Sequence, residues 1–278
     1  MFFKKRYILI IIILIIIVAL LNTNIYYTLR SYIVMYPYTR LKKNESLINK
    51  YDIKLKIPSG GYTKKKDWYP FMLYHNDYKG FSNYLNKDIS LTVVYNFGHF
   101  NLLEGFSSYY NENSPYYNAF YGAYIIRNNK NSENAFGFLD NGKIDTLEMG
   151  QLPKYDQTHL VLPSLGCPIK KAIFENTIEK IEYNVNYINI PNWTKVNSII
   201  KTNSPIHKYH SKQKGYIQYG IFNKSYNGEN FPKMILKGRI YAKIFKEYNL
   251  TIVLYMIAKD EKVLNELDEN ILSKSIIK

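Results

Sequence analysis

The pattern of apolar and polar positions divides the chain into three stretches. Residues 7–21 (YILIIIILIIIVALL) contain no charged side chain and no polar face, so they read as a helix that must be covered on every side. Fifteen helical residues make about 22 Å, and continuing to Tyr26 and Tyr27 brings the run to the roughly 30 Å of a bilayer core with two rings at the interface. Residues 28–50 are mixed, are broken by Pro37, and read as a juxtamembrane spacer. From Tyr51 onward short apolar runs alternate with turn residues, which predicts strands over 53–57, 68–74, 89–97, 119–126 and 159–162. Asn141-Gly142 tolerates positive φ and should join 135–139 to 143–144 as a hairpin. Pro168 should open a short helix (IKKAIFENTIEK), followed by a half-buried strand in which Ile181, Tyr183, Val185 and Tyr187 alternate with polar residues. Strands over 216–222, 234–245 and 250–258 come next. A last helix capped by Asp260 carries Val263, Leu267 and Ile271 on one face, with Leu264 beside them.

The expected organisation is therefore a short basic N-terminus (1–6), a transmembrane anchor (7–27), the spacer (28–50) and one globular α+β domain (51–278), β-rich with an antiparallel sheet covered by helices. A cleaved signal peptide would need small residues at the end of the apolar run, where only Ala19 qualifies. Lys4, Lys5 and Arg6 precede the run and Arg30 alone follows it closely, so the N-terminus should be cytoplasmic and the bulk outside the cell membrane. Charge adds to this picture. The net charge of +15 includes seven cations and no anion in residues 1–43; the remaining 30 cations and 22 anions leave +8 for the rest. That excess accompanies no nucleic-acid motif and supports only attraction to anionic envelope material. The lone Cys167 reads as a small buried apolar residue.

Both ends of the globular part resemble the PsbP/Mog1-like group of α+β domains. The similarity lies in an opening strand that ends in a Pro-Ser-Gly turn (Lys54 to Gly60), a hairpin ending Leu250-Thr251-Ile252-Val253-Leu254-Tyr255, a closing helix, and the tail Ile271 to Ile276. The resemblance implies an antiparallel sheet covered by helices. It brings no catalytic residues with it.

Chemistry is sparse. G-x-S-x-G and H-E-x-x-H do not occur, and S-x-x-K at Ser198, Ser211 and Ser275 lacks the S-D-N and K-T-G that accompany it in acyl-transfer enzymes. His207 and His210 are too isolated to predict a metal site, and no cofactor is expected. Residues 105–124 stand out because Tyr109, Tyr110, Tyr116, Tyr117, Tyr121 and Tyr124 fall among Asn and Ser, a combination suited to adaptable recognition or to sugar stacking. Such a surface requires exposed rings. Lys64, Lys65 and Lys66, and Lys208, Lys212 and Lys214, form two cationic clusters. These features predict a non-catalytic binding or accessory module whose partners are the bilayer through 7–27 and an envelope glycan, an anionic envelope polymer or another membrane protein. The alternative is an envelope hydrolase or transferase whose Asp, Glu and His converge only in the fold.

Overall fold

A strand reads as a continuous apolar run when both faces of its sheet are covered, and Leu250–Ala258 (LTIVLYMIA) is such a run, buried at every position. A computed structural model describes residues 2–21, 31–60, 68–98, 108–130, 134–204 and 231–278. Within them the strands are β1 (Leu73–Asp77), β2 (Ile89–Asn96), β3 (Phe120–Asn128), β4 (Phe174–Tyr187), β5 (Ile190–Asn203), β6 (Lys233–Phe245) and β7 (Leu250–Ala258). They form one antiparallel sheet in the order β1-β2-β3-β7-β6-β5-β4. Two meanders, β1–β3 and β4–β7, are thus joined where β3 pairs with β7, with Tyr124 opposite Val253 and Phe120 opposite Ile257. Gly122 sits on β3 where any Cβ would lie 1.8 Å from the Val94 carbonyl oxygen, so only glycine lets β2 approach there.

Helices cover both faces. α1 (Phe2–Leu21) stands apart with Tyr7 to Val18 exposed, and the helices around the sheet are α2 (Tyr36–Asn44) entered through a π-turn at Ser31–Met35, α3 (Leu47–Lys50), α4 (Gly80–Leu85), α5 (Thr146–Tyr155) continuing into a π-helical segment at Asp156–Val161, and α6 (Glu261–Asn270). On the first face Val93, Tyr95, Tyr124 and Tyr255 meet Phe81 of α4 and Met149, Leu152 and Tyr155 of α5. On the second, Val94, Ile125, Leu254 and Met256 meet Leu47 and Ile48 of α3, Ile53 and Leu55, and Val263, Leu264 and Leu267 of α6. Edge strand β1 is shielded by α2: the Thr39 hydroxyl donates to the Met72 carbonyl at 3.1 Å and accepts from the Tyr74 amide at 2.8 Å, satisfying backbone groups that an open edge would expose. Asp260 caps α6 by accepting from the Val263 amide at 2.9 Å. Asp260→Ala is therefore expected to cost about 1 kcal/mol in a urea-unfolding measurement.

The α+β class, the antiparallel sheet, the β6–β7 hairpin and the closing helix agree with the sequence expectation. Three expectations do not. The anchor expected over 7–27 meets a helix described over Phe2–Leu21, with residues 22–30 outside the described residues. Side chains are described for residues 5–19, about 22 Å of helix. Among the described residues no helix is long and apolar enough to cross a membrane. Residues 159–162 are helical rather than a strand, because Asp145 caps α5, accepting from the Leu147 and Glu148 amides at 3.0 Å, and the helix runs on through them. The helix expected after Pro168 stops as one 3-10 turn at Ile169–Lys171, and β4 begins at Phe174. Pairing with β5 along fourteen residues overrides a helical apolar period that has no core to face. β5 itself was not legible. The strand expected over 216–222 lies outside the described residues.

Candidate functional site

Tyr109, Tyr110, Tyr116, Tyr117, Tyr121 and Tyr124 are all buried, none more than 7% exposed. This corrects the expectation of a recognition surface: these rings fill the core on both faces of a sheet whose central strand β3 has no outside. On one face Trp68 packs edge-on against Tyr116 and Tyr121, at 5.2 and 5.3 Å, and the Tyr121 hydroxyl donates to the Pro58 carbonyl at 2.8 Å. On the other, Tyr109 meets Tyr110 and Phe97 edge-on, and Tyr124 stacks on Tyr255 at 4.2 Å. Burial raises the Tyr109, Tyr121 and Tyr124 hydroxyls well above their ordinary value and pushes Tyr117 up to about 12, so they stay protonated.

What the second cluster surrounds is Asp156, fully buried at the first residue of the π-helical segment. Tyr124 donates to one carboxyl oxygen at 2.7 Å and Tyr95 to the other. Burial pushes this carboxyl up to about 7, against the opposite pull of the two phenols. Nothing in the sequence around Asp156 marks it, since its partners come from β2 and β3. A cavity between α5 and the sheet, lined by Met149, Pro153, Val196, Ile200, Tyr255 and Tyr124, a partner of Asp156, holds only about 40 Å³. That is space for a water or a few, not for a substrate. His159 stacks on Tyr155 at 4.9 Å and its Nδ1 pairs with the Thr158 hydroxyl at 2.8 Å. Cys167 is buried and its thiol is pushed up to about 11 by burial, the state of an inert packing residue.

The large depression lies elsewhere. A groove of about 1020 Å³ opens between α2, α3, the extended residues 52–59 and the C-terminal tail. Two chain segments distant in sequence build one wall: Lys54 and Lys278 exchange backbone hydrogen bonds at 2.9 and 3.2 Å, and Lys56 pairs with Ile276. Alternation does the rest. Ile53, Leu55 and Ile57 turn into the core, so Lys54 and Lys56 turn out. Arg40 and Lys43 of α2 face the same space, and Asp52 is the single carboxylate side chain in the lining. Ser59 is occupied, donating to the Pro70 carbonyl at 2.8 Å, as is Thr39. The excess of cationic over carboxylate side chains in the lining makes the groove attractive to anions. The Lys64 to Lys66 and Lys208 to Lys214 clusters lie outside the described residues. Among the described residues, no group of three His, Cys, Asp or Glu stands close enough to hold a metal ion.

The alternation of Lys54 and Lys56 with apolar neighbours was readable in the sequence. That Lys278, Arg40 and Lys43 join them was not. No protein-family model matches the chain, and no curated protein or solved structure matches it significantly.

Proposed function

We propose that this is a single-pass, membrane-anchored binding or accessory module of the cell envelope, N-terminus cytoplasmic and bulk outside, held by the apolar stretch that begins at Tyr7. The observation that carries the reading is the state of α1. Residues 7–17 are each 45–63% exposed, so an entirely apolar helix has no face turned into the described protein. Leaving that surface in water costs roughly 25 cal/mol for each Å². A hydrocarbon environment removes the cost, and the three cations before Tyr7 orient the segment. The groove supports binding, because its lining gathers five cationic side chains with a single carboxylate side chain, Asp52, among apolar residues.

The test is extraction and topology on the full chain. Membranes from cells expressing it should retain the protein after alkaline carbonate, and a reporter fused after Lys278 should be active only outside the cytosol. Release by carbonate would remove the anchor. A cytosolic reporter signal would reverse the orientation.

A further inference from the structure

We propose that α2 and the groove beside it form a second membrane contact, an interfacial surface that lies on the bilayer and takes the phosphate groups of anionic lipids between its cations. The inference rests on the anchor reading only for proximity. Ser31 is ten residues beyond Leu21, so chain geometry keeps this surface within about 35 Å of the end of α1.

Three observations support it. First, the π-turn and α2 bury Met35 and Thr39 and expose Ile33, Val34, Tyr36 and Leu41 at 47–69%. Four large apolar side chains exposed within nine residues of chain are more than the singly scattered ones of an ordinary surface. Secondly, its rim is aromatic: Tyr32 and Tyr36 both lie edge-on to Phe71, at 6.0 and 5.2 Å, giving rings with an apolar body and a polar tip at the level where headgroups meet hydrocarbon. Thirdly, Arg40, Lys43, Lys54, Lys56 and Lys278 border the same groove with one opposing carboxylate side chain, and the half-exposed Ile276 sits between Lys56 and Lys278. Apolar area and a basic patch together are the two signals that stable peripheral binding needs. A second copy of the chain fits this surface poorly, because it would set five cations against five.

The experiment uses the full chain with Cys167→Ala and an environment-sensitive fluorophore on Ile33→Cys, reconstituted in phosphatidylcholine vesicles or in an equimolar mixture with phosphatidylglycerol. The label should move to an apolar environment and be shielded from aqueous iodide only in the mixture. A control label on Leu147→Cys, an exposed site on α5 that does not line the groove, should stay wet in both. Each cation at an anionic surface is worth about fivefold. The triple variant Lys54→Glu, Lys56→Glu, Lys278→Glu should therefore lower the docked-to-undocked ratio by roughly a hundredfold or more. If that variant loses its native near-ultraviolet circular dichroism, Arg40→Gln with Lys43→Gln serves instead, with an expected drop of roughly 25-fold. A label indifferent to lipid charge overturns the proposal. So does shielding that depends on protein density rather than lipid charge, which would identify a second copy, or shielding that inorganic phosphate alone produces. Carbonate extraction reads the anchor separately: a protein that resists carbonate while its label ignores phosphatidylglycerol has the anchor without this surface. One that is extracted yet docks on the mixture has the surface without the anchor.

Discussion

Arg239→Leu is expected to destabilise the protein by about 3–5 kcal/mol, because it strips the countercharge from a buried carboxylate. Arg239 lies on β6 beneath α6, 6% exposed. Its Nε donates to Asn197 Oδ1 at 2.8 Å, Nη1 to Asp268 Oδ2 at 2.7 Å and Asn265 Oδ1 at 3.0 Å, and Nη2 to Glu261 Oε1 at 2.7 Å. Asp268, 6% exposed, also accepts from Tyr187 at 2.8 Å and Tyr241 at 2.7 Å, whose rings stack 3.6 Å apart. Both phenols are raised by burial and by the Asp268 charge, so they remain donors. Two phenols cannot replace a guanidinium's full positive charge, and α6 would be left holding an uncompensated carboxylate against the sheet. The Glu261 partner is different: half exposed, it is screened by water, and Glu261→Gln should change stability by less than about 0.5 kcal/mol. Urea unfolding of the two variants tests the distinction. Losses of similar size would mean that the network acts as a surface ion pair and that apolar burial alone holds α6.

The contrast between these two residues shows what the sequence could convey. Regular apolar periods were legible wherever a strand or helix faces one core: β2, β6, β7 and α6 fall close to the spans that Ile89, Met234, Leu250 and Asp260 predict. Where a segment's partner is distant, local pattern misled. β4 is an edge strand with most side chains in water, so its first half, Phe174 to Lys180, offered an accidental helical period, while Ile181 to Tyr187 kept the alternation of a strand. In β5 the alternating buried positions are Thr194, Val196, Ser198, Ile200 and Thr202, three of them hydroxyl residues, so the segment could not be told from a loop until β6 paired with it. The tyrosines failed for a related reason. Tyrosine among Asn and Ser has the same composition in a binding loop and in a core whose hydroxyls find carbonyl and carboxyl partners, and only the covering layers decide between them. The groove was half visible, since Lys54 and Lys56 alternate with apolar residues, yet its other cations arrive from α2 and from the chain's last residue.

Asp156→Asn should remove most of the protein's loss of stability between pH 4 and pH 8. Burial raises the native carboxyl from an unfolded value of 3.8 to about 7, so the native state binds this proton more tightly than the unfolded chain does. The resulting stabilisation is fully present below about pH 4 and is lost as pH rises through about 7, at about 1.4 kcal/mol per pH unit. Over some three units the loss approaches about 4 kcal/mol. His75 and His159 are held below their ordinary value by burial and act in the opposite direction, losing stability as pH falls. The difference between wild type and Asp156→Asn at each pH cancels them and isolates the carboxyl. That difference should shift by several kcal/mol, the asparagine variant gaining on wild type between about pH 4 and pH 7 and the difference levelling off above that, where wild type holds an ion inside the Tyr95 and Tyr124 pair. A difference constant to within about 1 kcal/mol would mean that the two phenols alone stabilise the ionised form enough to cancel the cost of burial. The outcome bears on the fold because Asp156 begins the π-helical turn that carries Gln157 and Thr158 into the core. An ion there is tolerated only while Tyr95 and Tyr124 both keep their hydroxyls turned toward it.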